Sequence, residues 1–395
     1  MATSRGQAKN ELRSRNLSAA LAVIHDRGPV SRVQLSHSLG LGRTTVLELV
    51  GHLADLGLIS ESHATGALGV GRPGMMVAPT SMMGAFAVNP ESDALRVGVV
   101  SFDGQVVHSL RHPMADALQP EEAAIAATEL INEIREELPP GFRIAGVGVA
   151  IPGQVSRRTG VVLSAPRLGW TDCDFKSLLA SKTGLSVWLD NNARLVTQAE
   201  HRWGTGKGLS DFVYVFAGAG GIGGGIVIDS HILAGTSGFA GEVGHVRISD
   251  SPETDFLGLR GTFEAVIKRD DLLATLGHTN VTDGELDQVI QNAHNEEFLA
   301  LAERQLQVLG VVLGNLANIL DPQMIVLGGF LGSLYRRLPH VLEASLAEVV
   351  IPTVGRALRV RPSMFGPEMV LCGAAELVFA EVVASPLGFR LAPES

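Results

Sequence analysis

The chain has almost no cysteine: Cys173 and Cys372 are the only two in 395 residues, far apart and without a C-x-x-C neighbour. That excludes a disulfide framework and a cysteine-built metal site, and leaves two small thiols that read as packing residues. No run of about eighteen apolar residues occurs, so no membrane-spanning helix is expected. The first sixteen residues, Met1 to Asn16, are polar and basic and lack the apolar stretch of a secretion signal, so a cytoplasmic location away from membranes is expected.

What is present describes a folded chain, 46% hydrophobic with a mean hydropathy of +0.24 and long enough for two or three domains. The net charge of −10 is unevenly spread: residues 1–80 carry eight basic and five acidic side chains, +3, and the rest carry twenty-three against thirty-six, −13. A small basic segment on a large acidic body predicts that only the first part meets a polyanion, because phosphates repel the remainder.

In that first part, Leu17, Ala20, Leu21 and Ile24 repeat at helical spacing up to Gly28-Pro29. Ser31 with Gln34 three residues later reads as a capping box opening a second helix, which Gly40-Leu41-Gly42 ends. Val46, Leu49, Val50 and Leu53 then mark a third helix starting near Arg43, with Arg43, Thr44 and Thr45 on its exposed first turn. This order predicts a helix-turn-helix whose third helix enters the DNA major groove. Leu58 to Glu61 and Met75 to Val77 read as a paired wing, and Gly71-Arg72-Pro73 between them presents Arg72 to an A·T-rich minor groove.

From Phe86 onward strands and helices alternate, which predicts an α/β body. Ala94 to Val100 and Gln105 to Ser109 read as strands of a hairpin, Glu121 to Glu137 as a helix and Ile144 to Ile151 as a buried strand. Two further strands, Val213 to Phe216 and Met324 to Leu327, run into glycines; the run Gly218 to Gly225 suits either a phosphate cradle or a tight hairpin.

The stretch Gly241-Glu242-Val243-Gly244-His245, followed by Asp255 through Glu264, resembles the G-E-x-G-H and C-x-C-G-x-x-G-C-x-E signature of the ROK family (repressors, open reading frames and sugar kinases), with every cysteine gone. The N-terminal segment is similar to the winged domain of the family's repressors: Arg13 to Asn16, Ser31-Arg32-Val33-Gln34-Leu35, Gly40-Leu41 and Gly71-Arg72-Pro73 match their pattern, while Gly42 stands where a serine cap is common. The resemblance implies a winged helix-turn-helix over residues 1–80 joined to a two-lobed, actin-like (ribonuclease H-like) body over 81–395. Lobe one would span about 81–193 plus a C-terminal helix at about 372–385, and lobe two about 194–371. It also implies DNA contacts at Arg32, Arg43, Thr44, Thr45 and Arg72, and a sugar site between the lobes at Gly153, Asn191, Asn192, Glu242, His245 and Glu264. Carboxylates, amides and an imidazole suit vicinal hydroxyls because they satisfy them in pairs.

The same comparison implies that the chain is not a kinase. The family's E-N-D-A segment, whose aspartate is the general base, reads Asp190-Asn191-Asn192-Ala193, and an amide cannot take the proton. The phosphate motifs have become Val88 to Ser92 and Ala219 to Gly223, so ATP is not expected. The positions of the one-His, three-Cys zinc set are His245, Asp255, Leu257 and Thr262, too few ligands for zinc. Packing of Phe256, Leu257, Leu259 and Phe263 is expected to order that loop instead. The expected partners are a palindromic DNA operator, a sugar effector and a second or third and fourth copy of the chain. A regulator whose body answers to another metabolite or a protein, and an active sugar kinase, remain as alternatives.

Overall fold

The computed structural model describes residues 2–63, 75–218, 220–278, 281, 283–364, 366 and 368–389. The periodic apolar face of α1 (Ala2–Arg27) is fully buried at Leu17, Ala20, Leu21 and Ile24. After β1 (Val30–Ser31), α2 (Arg32–Leu39) opens on the capping box: Ser31 Oγ accepts from the Gln34 amide at 3.2 Å, and the Ser31 amide donates to the Gln34 side chain at 2.8 Å. Gly40, left-handed at φ +64°, ends it, and α3 (Arg43–Asp55) buries Val46, Leu49, Val50 and Leu53. β2 (Ile59–His63) pairs antiparallel with β3 (Met75–Pro79), and β1 adds to the far side of β3. Gly71, Arg72 and Pro73 lie outside the described residues.

The body follows as β4 (Met83–Pro90), β5 (Ala94–Ser101), β6 (Val106–Pro113), α4 (Pro120–Glu137), β7 (Arg143–Ile151), a small antiparallel set of β8 (Gln154–Val155), β9 (Val162–Ala165) and β10 (Trp170–Cys173), then α5 (Phe175–Thr183) and β11 (Val187–Asn191). Five of these strands form one sheet in the order β11-β7-β4-β5-β6. β4 is buried at every position and β7 at all but its first, as strands covered on both faces should be.

Helix α6 (Asn192–Trp203) leads to the second sheet. Its elements are β12 (Phe212–Gly218), β13 (Gly221–Ile228), β14 (His231–Ile232), α7 (Phe263–Val266), α8 (Arg269–Thr275), α9 (Asp283–Gln291), α10 (Glu296–Leu320), β15 (Met324–Gly328), α11 (Gly329–Arg337), α12 (Pro339–Val349), α13 (Pro352–Gly355) and β16 (Arg359–Pro362), with strand order β14-β13-β12-β15-β16. The last helix, α14 (Met369–Ala384), returns to the first sheet and packs on β7 and β4. A Cβ at Gly148 would collide with the Ala374 carbonyl, so this glycine lets helix and sheet touch backbone to backbone.

The N-terminal core is continuous with that of the body: Leu17, Leu21 and Ile24 share one apolar cluster with Phe102, Phe379 and Val382. Within it the His25 ring lies flat on Phe102, centroids 4.3 Å apart, and edge-on to Phe379. His25 Nε2 is 2.9 Å from Glu376 Oε1, and the other oxygen of Glu376 is ion-paired with Arg202 Nε at 3.0 Å. Ser18 Oγ donates to the Val383 carbonyl at 2.7 Å, and Arg143 Nη1 to the Leu56 carbonyl at 3.0 Å. Both contacts tie the first eighty residues to the body. Among the described residues no helix is long and apolar enough to cross a membrane.

Candidate functional site

The end of β11 and the first turn of α6 face a cavity of about 470 Å³ between the two sheets, a size suited to a small molecule. Asn191 caps α6: its Oδ1 accepts from the Arg194 amide at 3.1 Å, and its Nδ2 donates to the Gly153 carbonyl at 2.9 Å. Asn192 Oδ1 accepts from the Ala193 amide at 2.8 Å. One turn on, the buried Arg194 guanidinium donates from Nη1 to both oxygens of Asp190, at 2.9 and 3.0 Å, and from Nη2 to the Gly238 carbonyl. Burial pushes the Asp190 carboxyl up from its ordinary range, against the pull of Arg194.

The glycine run forms the β12–β13 hairpin, pressed against α6. A Cβ on Gly223 would stand 2.7 Å from that of Ala193, and one on Gly225 would overlap Thr197. At its tip Gly221 has φ +108°, and a Cβ there would strike the Glu264 carboxylate. Glu264 Oε2 accepts from the Ile222 amide at 2.8 Å.

Glu242 precedes the short 3-10 turn Val243–His245 and His245 ends it, with His245 Nε2 3.9 Å from Glu242 Oε2, too far for a hydrogen bond. Burial raises the Glu242 carboxyl above the usual glutamate range; His245 and Arg194 oppose the shift and Glu264 adds to it. His245 Nδ1 turns the other way, 2.9 Å from Asp255 Oδ2. Thr262 Oγ1 donates to the same oxygen at 2.9 Å, while Oδ1 accepts from the Leu257 and Leu259 amides at 3.0 and 2.9 Å.

That carboxylate corrects the expected ordering of the loop. Phe263 is fully buried, but Phe256, Leu257 and Leu259 are 57%, 43% and 47% exposed, so they do not supply the packing. The hydrogen bonds to Asp255 close the loop and leave those side chains outside. Phe256 instead lies under Arg167, whose Cζ is 3.5 Å from the ring centroid.

All six residues expected at a sugar site line this one cavity: Gly153, Asn191, Asn192, Glu242, His245 and Glu264. They are not equally free, since Asn191 is bonded at both ends of its amide and Glu264 is tied to the hairpin. Arg167 and Arg194 also line it and were missed by sequence reasoning. The i, i+4 spacing of Asp190 and Arg194 was the available signal for the second; nothing in the sequence signalled the first. Of the residues assigned to DNA, Arg43 and Thr44 are exposed at the start of α3 and Thr45 is half-buried. Arg32 is paired with Glu61 of β2, and Arg72 lies outside the described residues.

The model of the ROK family matches residues 87–381. The chain is 27% identical over 369 residues to a xylose repressor of Bacillus spizizenii, an alignment covering 92% of this chain and 94% of the relative. A solved ROK family transcriptional regulator, described as a homologue of the Escherichia coli Mlc protein, shares the fold with a TM-score of 0.75 at 21% identity, over 94% of this chain and 97% of that one. A ROK glucokinase of Streptomyces griseus, solved with glucose and AMPPNP, gives a TM-score of 0.62 at 22% identity, over 74% of this chain and 98% of that one.

Proposed function

The chain belongs to the ROK family, and from that premise we propose that it is a DNA-binding transcriptional repressor whose body senses a sugar or sugar derivative. The observation that carries this reading is that one molecule joins two separate surfaces through one core: α3 with Arg43 and Thr44 exposed on its first turn, and a polar cavity between two sheets. The xylose repressor aligns with both parts, whereas the glucokinase is covered almost entirely by three quarters of this chain.

Residues 1–80 act as a winged helix-turn-helix, and residues 81–395 as the effector-binding body. A two-fold dimer places two copies of α3 on the half-sites of a palindrome. Ligand in the cavity biases the lobes toward one closure, and the continuous core passes that bias to the DNA-binding heads. Each tenfold change in operator affinity then needs about 1.4 kcal/mol of unequal ligand binding between the two states.

The body is not a kinase in this reading. Asn192 stands at the general-base position, and where a phosphate-binding turn would lie, Asn89 is buried with its Nδ2 donating to Glu91 at 2.6 Å. The body also works without zinc, because Leu257 offers no ligand atom and the Asp255 oxygens are already taken.

Fluorescence anisotropy on duplex DNA from upstream of the chain's own gene tests the reading, with and without a panel of neutral and phosphorylated sugars. Salt-sensitive binding altered by one sugar supports it, and absence of DNA binding sinks it. A body retuned to a different metabolite is the second reading, favoured by the engagement of Asn191 and Glu264 with backbone. An effector response that survives Glu242→Ala selects that second reading.

A further inference from the structure

We propose that Asp255 is a positioning residue that fixes His245 as the Nδ1–H tautomer, so that Nε2 meets the ligand as a hydrogen-bond acceptor and selects a group that donates. The inference deepens the sugar reading and rests on it for the class of ligand.

The argument is a count of acceptor sites. An ionised carboxylate offers about four lone-pair directions and no donor. Asp255 has a fully buried side chain, and three of those directions are filled by unambiguous donors: the Leu257 and Leu259 amides on Oδ1 and the Thr262 hydroxyl on Oδ2. The Thr262 hydroxyl donates there because an ionised carboxylate can only accept, and a lone pair of the same Oγ1 accepts from the Ala265 amide at 3.3 Å. The fourth contact is His245 Nδ1 at 2.9 Å, and a pure acceptor requires that nitrogen to carry the proton. Burial works against the Asp255 charge, but the bonds from His245, Leu259 and Thr262 outweigh it and hold the carboxyl below its ordinary range.

A neutral ring protonated at Nδ1 has a bare lone pair on Nε2. A metal on Nδ1 has the opposite effect, leaving Nε2–H as a donor. The aspartate therefore holds the ring in place as a metal would while reversing what the ring offers the cavity. Nε2 has no hydrogen-bond partner among the described residues, its neighbour Glu242 Oε2 being 3.9 Å away. Two acceptors then stand side by side, the Glu242 carboxylate and the His245 lone pair. They fit adjacent hydroxyls that both donate, and leave an ether, carbonyl or fluorine at either position unmatched.

The test has two arms, and the first needs no ligand. Nitrogen-15 imidazole spectra of histidine-labelled full-length protein are recorded at about pH 8, above the ordinary imidazole range, with His245 assigned by loss of its signal in His245→Gln. The expected result is a protonated Nδ1 and a bare Nε2, with that preference lost in Asp255→Asn. If the asparagine variant does not fold, Thr262→Val removes one donor to the same oxygen and should leave the tautomer intact. A wild-type ring protonated at Nε2 overturns the proposal.

The second arm titrates D-glucose and D-xylose, together with fluorinated analogues in which one hydroxyl at a time is replaced, into wild type and Asp255→Asn. Loss of about tenfold or more in affinity in the variant, and failure of one fluorinated analogue of a binding sugar, support the proposal. Unchanged affinity in the variant overturns it. If neither sugar binds wild type while the ring shows the Nδ1–H form, the tautomer assignment stands and glucose and xylose fall as ligands of the cavity.

Discussion

In the proposed reading, Asn192 at the first turn of α6 and Asn89 at the end of β4 are two of the side chains that set this body apart from a sugar kinase. Restoring the acid alone leaves the Asn89–Glu91 contact in place, so Asn192→Asp is expected to show no transfer of phosphate from ATP to glucose or xylose in a coupled assay. Glu242 is the more sensitive position for binding. Glu242→Gln removes a charged acceptor and is expected to cost about 2 kcal/mol, roughly thirtyfold in sugar affinity by calorimetry. Because burial raises the Glu242 carboxyl, its proton is taken up at higher pH than in a free glutamate. Sugar binding should accordingly be full near neutrality and weaken on acidification while still above the ordinary value of about 4.3.

At the scale of elements, α3 starts on Gly42, which has φ −65° and open space around its missing Cβ but makes no side-chain cap. Gly42→Ser should add about 0.3 kcal/mol of stability in chemical denaturation, because serine can bond an orphan amide of the first turn. Arg43→Ala, one residue on, should weaken DNA binding and lower the slope of log affinity against log salt by about 1. These elements were legible because each rests on local chemistry: the 17-20-21-24 spacing of α1, the Ser31–Gln34 box and the 46-49-50-53 spacing of α3 all recur in the structure. The positions lining the cavity were legible for a different reason, the order of a family signature. What the residues do there was not, because it depends on partners distant in sequence. Glu264 is tied to Ile222, Arg167 stacks on Phe256, and Asp255 gathers the hydrogen bonds that close a loop apolar packing was expected to order. The glycine run was ambiguous between a phosphate cradle and a hairpin until Ala193 and Thr197 of α6 were placed beside it.

Across the whole molecule, α1 and α14 join the DNA-binding end to the body through the buried contacts of Glu376 with His25 and Arg202. α6 spans the distance between this junction and the cavity, with Asn192 at one end and Arg202 near the other. Glu376→Gln leaves Arg202 without its counter-charge and should cost about 3 kcal/mol in urea denaturation. Burial alone would raise the Glu376 carboxyl, but His25 and Arg202 bring it below the ordinary range. A depressed carboxyl contributes stability that is complete above the unfolded value of about 4.3 and is lost as pH falls through the folded value. Wild type should therefore lose more stability than Glu376→Gln when acidified below that point.

The account turns on whether cavity and DNA-binding face share one equilibrium. The most direct test is the affinity of the effector identified in the anisotropy screen, measured by calorimetry on the free protein and again on the protein saturated with its operator DNA. Linkage requires the two affinities to differ by the same factor, and in the same direction, by which the sugar changes operator affinity. Equal affinities in the two states would contradict the account, whatever the tightness of either interaction alone.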